Sequence, residues 1–265
     1  MKKEFTAIEL FAGCGGLALG LEMAGLKTIF LNDFDKDCTL TLKRNRPDWN
    51  VVHDDIKNID FKQFYGKVDV VTGGFPCQAF SHAGKRLGFE DTRGTLFHEF
   101  ARAVKEIQPK IFWAENVSGL VTHDKGRTLK IMLDVLRKDL DSYEVQHKVL
   151  DAVNFSVPQK RKRIIIIGTK REIKFEYPKE HGKIVPLRDA LKDVPKSLGT
   201  QYSEKRKKVM ELVPPGGSWV NLPFDIQKEF MGKSFFSTGG RRGMARNKTI
   251  STPVFSSQVG PDRPC

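Results

Sequence analysis

Short apolar runs alternate with segments of helical periodicity between residues 5 and 168. Residues 5–11 are mostly apolar and read as a strand that ends in the cluster Gly13-Cys14-Gly15-Gly16. Residues 17–24 carry apolar positions at helical spacing and are closed by Gly25. Residues 27–31 predict a second strand ending at Asn32-Asp33, and 35–44 a second helix. The β-branched run 68–72, stopped by Gly73-Gly74, suits a strand buried in a parallel sheet. Residues 96–107 predict a helix, 111–114 a strand ending at Glu115-Asn116, and 129–140 a further helix. Two more strands are expected at 143–150 and 164–168. Alternation of this kind predicts an α/β fold, a doubly wound, mostly parallel sheet with helices on both faces. From Pro178 onward prolines, glycines and isolated hydrophobic residues replace the pattern, so a domain boundary is placed near residue 180.

Composition adds a partner to this picture. About 39% of the 265 residues are apolar, enough for a real core, and no stretch approaches the length of a membrane helix. Met1-Lys2-Lys3-Glu4 run straight into the first strand, a start without a secretory signal, so a cytoplasmic protein is expected. Four cysteines, Cys14, Cys38, Cys77 and Cys265, are widely spaced, and none forms the close pair of a zinc or redox motif; no metal is expected. Lys and Arg outnumber Asp and Glu by 45 to 32, a net charge of +13. Such a surplus favours polyanions, because neutralised phosphates release counterions. Much of it lies in the runs 160–163 and 205–208 and in Arg241-Arg242.

Three places carry candidate chemistry. Gly13-Cys14-Gly15-Gly16-Leu17-Ala18 fits G-x-G-x-x-A between a strand and a helix, with Asp33 at the end of the next strand. Glycines let a ligand approach a helix N-terminus, and a carboxylate there can accept hydrogen bonds from ribose hydroxyls. Alone, the pattern fits an NAD site, an S-adenosylmethionine site or only a tight turn. Next, Gly73-Gly74-Phe75-Pro76-Cys77-Gln78 sets a cysteine just past a strand end, where open α/β sheets place their ligands. A buried structural cysteine is the competing reading, opposed by the polar, glycine-flanked setting. The stretch 81–95, with Lys85, Arg86 and Arg93 among glycines, has the makeup of either a disordered loop or a lid, and its basic residues favour a lid over nucleic acid. Lastly, Glu115 follows the strand 111–114; beside a parallel strand 68–72 it would share a crevice with Cys77. Gln159-Lys160-Arg161-Lys162-Arg163 precedes the apolar run 164–167, where one arginine could reach inward.

The segments 11–16, 74–78, 94–97, 115–117 and 159–163, in this order, resemble the DNA cytosine-5 methyltransferase family. The resemblance covers roughly residues 5–170. It implies a Rossmann-like S-adenosylmethionine-dependent methyltransferase fold, with residues 1–180 as catalytic domain and 181–265 as the start of a target-recognition domain. It implies Cys77 as nucleophile, Glu115 as partner of the cytosine N3 and exocyclic amine, and Arg163 with Arg161 as contacts to the base and nearby backbone. S-adenosylmethionine would be held by Phe11, Ala12, Gly13, Cys14, Gly15, Gly16, Asp33, Phe34, Asp55, Ile56, Gly74, Pro76 and Leu96. Phe34 would stack on the adenine and Asp55 would bond its amino group. Gln78 and Ser81 would help hold the flipped nucleotide of double-stranded DNA, with Lys85 and Arg93 of the basic stretch beside them. Arg241 and Arg242, in the run 237–244, are also expected to touch DNA, since arginine commonly reads guanine edges, an ordinary basic loop being the competing reading.

Two departures from the family pattern bear on these expectations. Asp33 stands where the family more often has Glu, a shorter reach to the same hydroxyls. The family's last two motifs do not occur before Cys265, so a truncated chain, or one completed by a second polypeptide, is expected. The alternatives to a DNA methyltransferase are an RNA cytosine-5 methyltransferase, an NAD-dependent oxidoreductase, and a non-catalytic DNA-binding fragment.

Overall fold

The structure is a computed structural model that describes residues 4–76, 96–195, 201–214 and 219–231. These fall into two compact units, residues 4–157 with 161–184, and residues 185–231 with 158–160.

The first unit is built on a seven-stranded sheet of order β3-β2-β1-β4-β5-β7-β6. Its strands are β1 (Phe5–Leu10), β2 (Leu26–Asp33), β3 (Val51–His53), β4 (Val70–Gly73), β5 (Ile111–Val117), β6 (Tyr143–Asp151) and β7 (Lys162–Lys170). Pairing is parallel from β3 through β5, and β7 runs antiparallel to both of its neighbours. The expected mostly parallel α/β sheet is therefore present, and β1 to β4 end on one edge.

Among the described residues, four α-helices flank the sheet: α1 (Gly16–Met23), α2 (Lys36–Asn45), α3 (Leu96–Ile107) and α4 (Arg127–Asp139). Alternation along the strands separates two apolar layers. Ile8, Leu10, Phe30, Phe112 and Ala114 pack with Phe100, Val104 and Ile107 of α3 and Met132 and Leu136 of α4. Leu31 and Val51 pack with Ala18 of α1 and Leu42 of α2. Helices thus cover both faces, as the amphipathic spacing predicts.

Two strands depart from the sequence expectation. β3 is only three residues long, too short to show a period. β5 does not end before Glu115 but continues to Val117, because antiparallel β7 extends the ladder with Glu115↔Ile165, Asn116↔Ile164 and Val117↔Arg163. Glu115 is a strand residue.

The second unit contains α5 (Leu187–Ala190), α6 (Glu204–Glu211) and α7 (Phe224–Met231). Ser203 caps α6, its hydroxyl accepting from the Arg206 N–H. Gln227 is buried and donates to the carbonyls of Val220 and Leu222, which closes the turn before α7.

Candidate active site

Where β1 gives way to α1, the backbone turns through left-handed conformations at Phe11 (φ 57°), Gly13 (φ 53°) and Gly15 (φ 80°). Only glycine fits at position 15: a Cβ there would lie 2.5 Å from Leu42 Cδ2 and 3.1 Å from Trp49 Cζ3. Around Gly13 and Gly16 the space is open, with no atom within 4 Å of where a Cβ would stand. Gly15 caps α1 without a side chain, and in the first turn the Ala18 N–H is taken by a carboxyl group of β1.

Carboxylates hold this loop. Asp33, the last residue of β2, accepts from the Gly13 N–H at 2.7 Å through Oδ2 and from the Asp35 N–H at 2.8 Å through Oδ1. Each oxygen retains a second lone pair for a ligand hydroxyl. Phe34 follows with 74% of its surface exposed, its carbonyl bonded to His53 Nε2 at 2.9 Å. Asp55 Oδ1 accepts from the Lys57 N–H at 3.0 Å, starting a short helical turn that contains buried Ile56. Arg102 of α3 pins that turn, donating to the carbonyls of Ile56 and Ile59 while Glu99 and Glu106 hold its guanidinium. Leu96, at the start of α3, and Phe11 are each partly buried against the core. The strand ends therefore offer an open glycine cradle, a bare aromatic ring and two carboxylates. That donor set fits an adenosine-bearing ligand, the flat base against the ring and hydroxyls or an amino group on the carboxylates.

A second cluster lies at the ends of β4 and β5. Because β7 is antiparallel, its first residues lie beside the end of β5. Arg163 Nε contacts Glu115 Oε1 at 2.8 Å, and Arg161 Nη2 approaches the same oxygen at 3.9 Å. Burial, and then the neighbouring Arg163, hold the Arg161 guanidinium below its usual range, with Glu115 opposing them. The arginine that reaches inward is chiefly Arg163. The other carboxylate oxygen faces β4, since a Cβ on Gly74 would lie 3.5 Å from Glu115 Oε2. β4 and β5 are parallel neighbours, the condition under which Glu115 shares the crevice of the segment 74–76. Phe75 is buried and Pro76 exposed.

Cys77, Gln78, Ser81, Lys85, Arg93, Arg241 and Arg242 lie outside the described residues. Cys14 is exposed, Ala12 buried against Leu31, and Gly74 partly exposed.

Two polar residues at these strand ends carry no role in the sequence reading. Glu9 is 3% exposed on β1, and its Oε2 accepts from the Ala18 N–H at 2.7 Å in the first turn of α1. Burial, relieved by that bond and reinforced by nearby Asp33, pushes its carboxyl up to about 8. A lone charged residue inside the apolar run 5–11 is the signal that could have found it. Asn116, 4% exposed, donates from Nδ2 to the Phe75 carbonyl at 3.0 Å.

A mostly parallel sheet with one antiparallel strand, helices on both faces and a glycine turn after β1 defines a Rossmann-like methyltransferase fold. The chain belongs to the C-5 cytosine-specific DNA methylase family, whose sequence profile matches residues 5–252. It is 50% identical over 268 residues to the Type II methyltransferase M.Eco47II of Escherichia coli, covering 97% of this chain and 64% of that protein. To the Type II methyltransferase M.PspPI of a Psychrobacter strain it is 51% identical over 262 residues, covering 95% of this chain and 63% of that one. A prophage-encoded E. coli protein, whose crystal structure is described as that of a DNA modification methyltransferase, superposes with a TM-score of 0.60 at 26% identity. That match covers 75% of this chain and 57% of the other. The chain thus spans a little under two thirds of the length of these curated relatives.

Proposed function

We propose that the protein transfers a methyl group from S-adenosylmethionine to C5 of cytosine in a specific duplex DNA sequence. The observation that carries this reading is the Arg163–Glu115 ion pair, 2.8 Å long, at the end of the strand beside the one that leads into Cys77. A carboxyl held by an arginine next to a candidate thiol suits a reaction in which a nucleophile adds to a heterocycle while its ring nitrogen is stabilised.

Cytosine C5 is too weak a nucleophile to take a methyl group unaided, and inside a duplex it is out of reach. The target base is flipped out of the stack, at a cost of about a few kcal/mol. The Cys77 thiolate adds to C6, and the C5=C6 electrons move to C5 while Glu115 holds N3 and the exocyclic amine. Arg163 fixes the carboxyl of Glu115, and Arg161 adds positive charge for the base and adjacent phosphate. S-adenosylmethionine, when bound, would supply an electrophilic methyl group for C5 and leave as S-adenosylhomocysteine. The C5 proton then leaves, the C6–S bond breaks, and the thiolate and the aromatic ring are restored.

For the cofactor, Phe34 offers its exposed ring to the adenine, Asp33 its free lone pairs to the ribose hydroxyls, and Asp55 its carboxylate to the adenine amino group. Phe11, Ala12, Gly13, Cys14, Gly15 and Gly16 form the turn against which the rest lies, with Ile56, Gly74, Pro76 and Leu96 as walls. Gln78, Ser81, Lys85 and Arg93 would grip the flipped strand, and Arg241 and Arg242 would belong to a recognition region beginning near residue 181. An enzyme that modifies bacterial DNA works in the cytoplasm, with the nucleoid. Among the described residues no helix is long and apolar enough to cross a membrane.

Transfer of radiolabelled methyl groups tests this reading. The wild type is expected to label duplex DNA and not tRNA, and Cys77→Ser to abolish labelling. Transfer to tRNA alone, or full activity in Cys77→Ser, contradicts it.

A further inference from the structure

We propose that Asn116 is a positioning residue for the methyl-transfer reaction: its side chain fixes the backbone that leads from β4 into Cys77. This rests on the reading of Cys77 as nucleophile.

β4 loses its ladder at Gly73, whereas β5 runs on to Val117. Residues 74–76 therefore lie beyond the ladder, with no strand partner there to set their direction. Asn116 supplies one. Its Nδ2 donates to the Phe75 carbonyl at 3.0 Å, and its Oδ1 accepts from the Val117 N–H at 2.8 Å. Both ends of the amide are engaged, so a flip would set oxygen against oxygen and fix nothing. A buried primary amide is costly unless satisfied, and the ladder of β5 gains nothing from this one. What it holds is a carbonyl beyond the end of β4. The Phe75 ring is held as well, packed at 5.5 Å from Phe97, 5.6 Å from Phe100 and 6.4 Å edge-on from Phe11 of the glycine loop. Residue 75 is thus fixed through its ring and its carbonyl, immediately before Pro76-Cys77. A nucleophile displaced by about 1 Å loses on the order of 100-fold in rate.

Asn116→Asp keeps the volume and the acceptor for Val117 but sets a carboxylate oxygen against the Phe75 carbonyl. The readout is the rate of covalent capture on duplex DNA containing 5-fluorocytosine, with S-adenosylmethionine affinity and thermal midpoint measured alongside. Capture is expected to slow roughly 100-fold at neutral pH with cofactor affinity unchanged. The deficit relative to wild type should shrink as the pH is lowered, because a protonated carboxyl regains the donor. Unchanged capture, or a pH-independent deficit with a matching loss of cofactor binding, overturns the proposal. If Asn116→Asp does not fold, Asn116→Ser, whose hydroxyl is too short for the bond, takes its place; unchanged capture again overturns the proposal, and slower capture at unchanged cofactor affinity supports it. No capture by the wild type would overturn the Cys77 reading itself, and this inference with it.

Discussion

A carboxyl group taken out of water favours its neutral form, and Glu9, buried under the start of α1, does so up to a pH of about 8. In the unfolded chain the same group titrates near 4.5. Below about 4.5 both states hold the proton, and between about 4.5 and about 8 only the folded one does. Stability contributed by Glu9 is therefore complete at low pH and is lost as pH rises through that window, at up to about 1.4 kcal/mol per pH unit. Glu9→Gln mimics the neutral form and can still accept from the Ala18 N–H. Urea unfolding of the two proteins across that range should give a stability difference that shifts in favour of the Gln variant as pH rises; parallel curves would show Glu9 ionised throughout. Neither Glu9 nor Asn116 could be assigned from sequence, because each role depends on a partner brought up by the fold. For Glu9 that partner is an N–H at the start of α1; for Asn116 it is a carbonyl just beyond the end of the neighbouring strand.

The glycine turn between β1 and α1 separates two demands that a motif merges. Gly15 is required by the chain itself, through its positive φ and the closeness of Leu42 and Trp49. Gly16 is not, since its surroundings are open, and the proposed cofactor would lie against that open side. Gly15→Ala should lower stability by about 1–3 kcal/mol. Gly16→Ala should leave the thermal midpoint unchanged and weaken S-adenosylmethionine binding, measured by calorimetry. Unaltered affinity in Gly16→Ala would place the cofactor elsewhere. At this scale much was legible: α3 spans 96–107 as predicted, because Phe97, Phe100, Ala101 and Val104 repeat at helical spacing. The direction of β7 was not, since a run of four isoleucines reads the same in either sense. That direction decides the site, because it carries Arg161 and Arg163 to the end of β5.

Across the whole molecule, a net charge of +13 and two arginines converging on one carboxylate leave the site edge with positive charge to spare. Such a surface favours a polyanionic partner, in keeping with the proposed DNA substrate. That the glycine turn and Glu115 would lie at the ends of strands in one sheet was readable from the order of the elements, since parallel strands bring their ends to one edge. The helices of residues 185–231 were not, because sequence reading depends on periodicity and the region after residue 178 has little. The central claim is a covalent bond between Cys77 and the target base. Mass spectrometry of the protein incubated with S-adenosylmethionine and duplex DNA containing 5-fluorocytosine tests it most directly, because fluorine cannot leave C5 as a proton does. A trapped protein–DNA adduct mapping to the peptide of Cys77, and missing in Cys77→Ser, is the predicted result. An adduct at another residue, or none while normal cytosine in the same duplex is methylated, would contradict it.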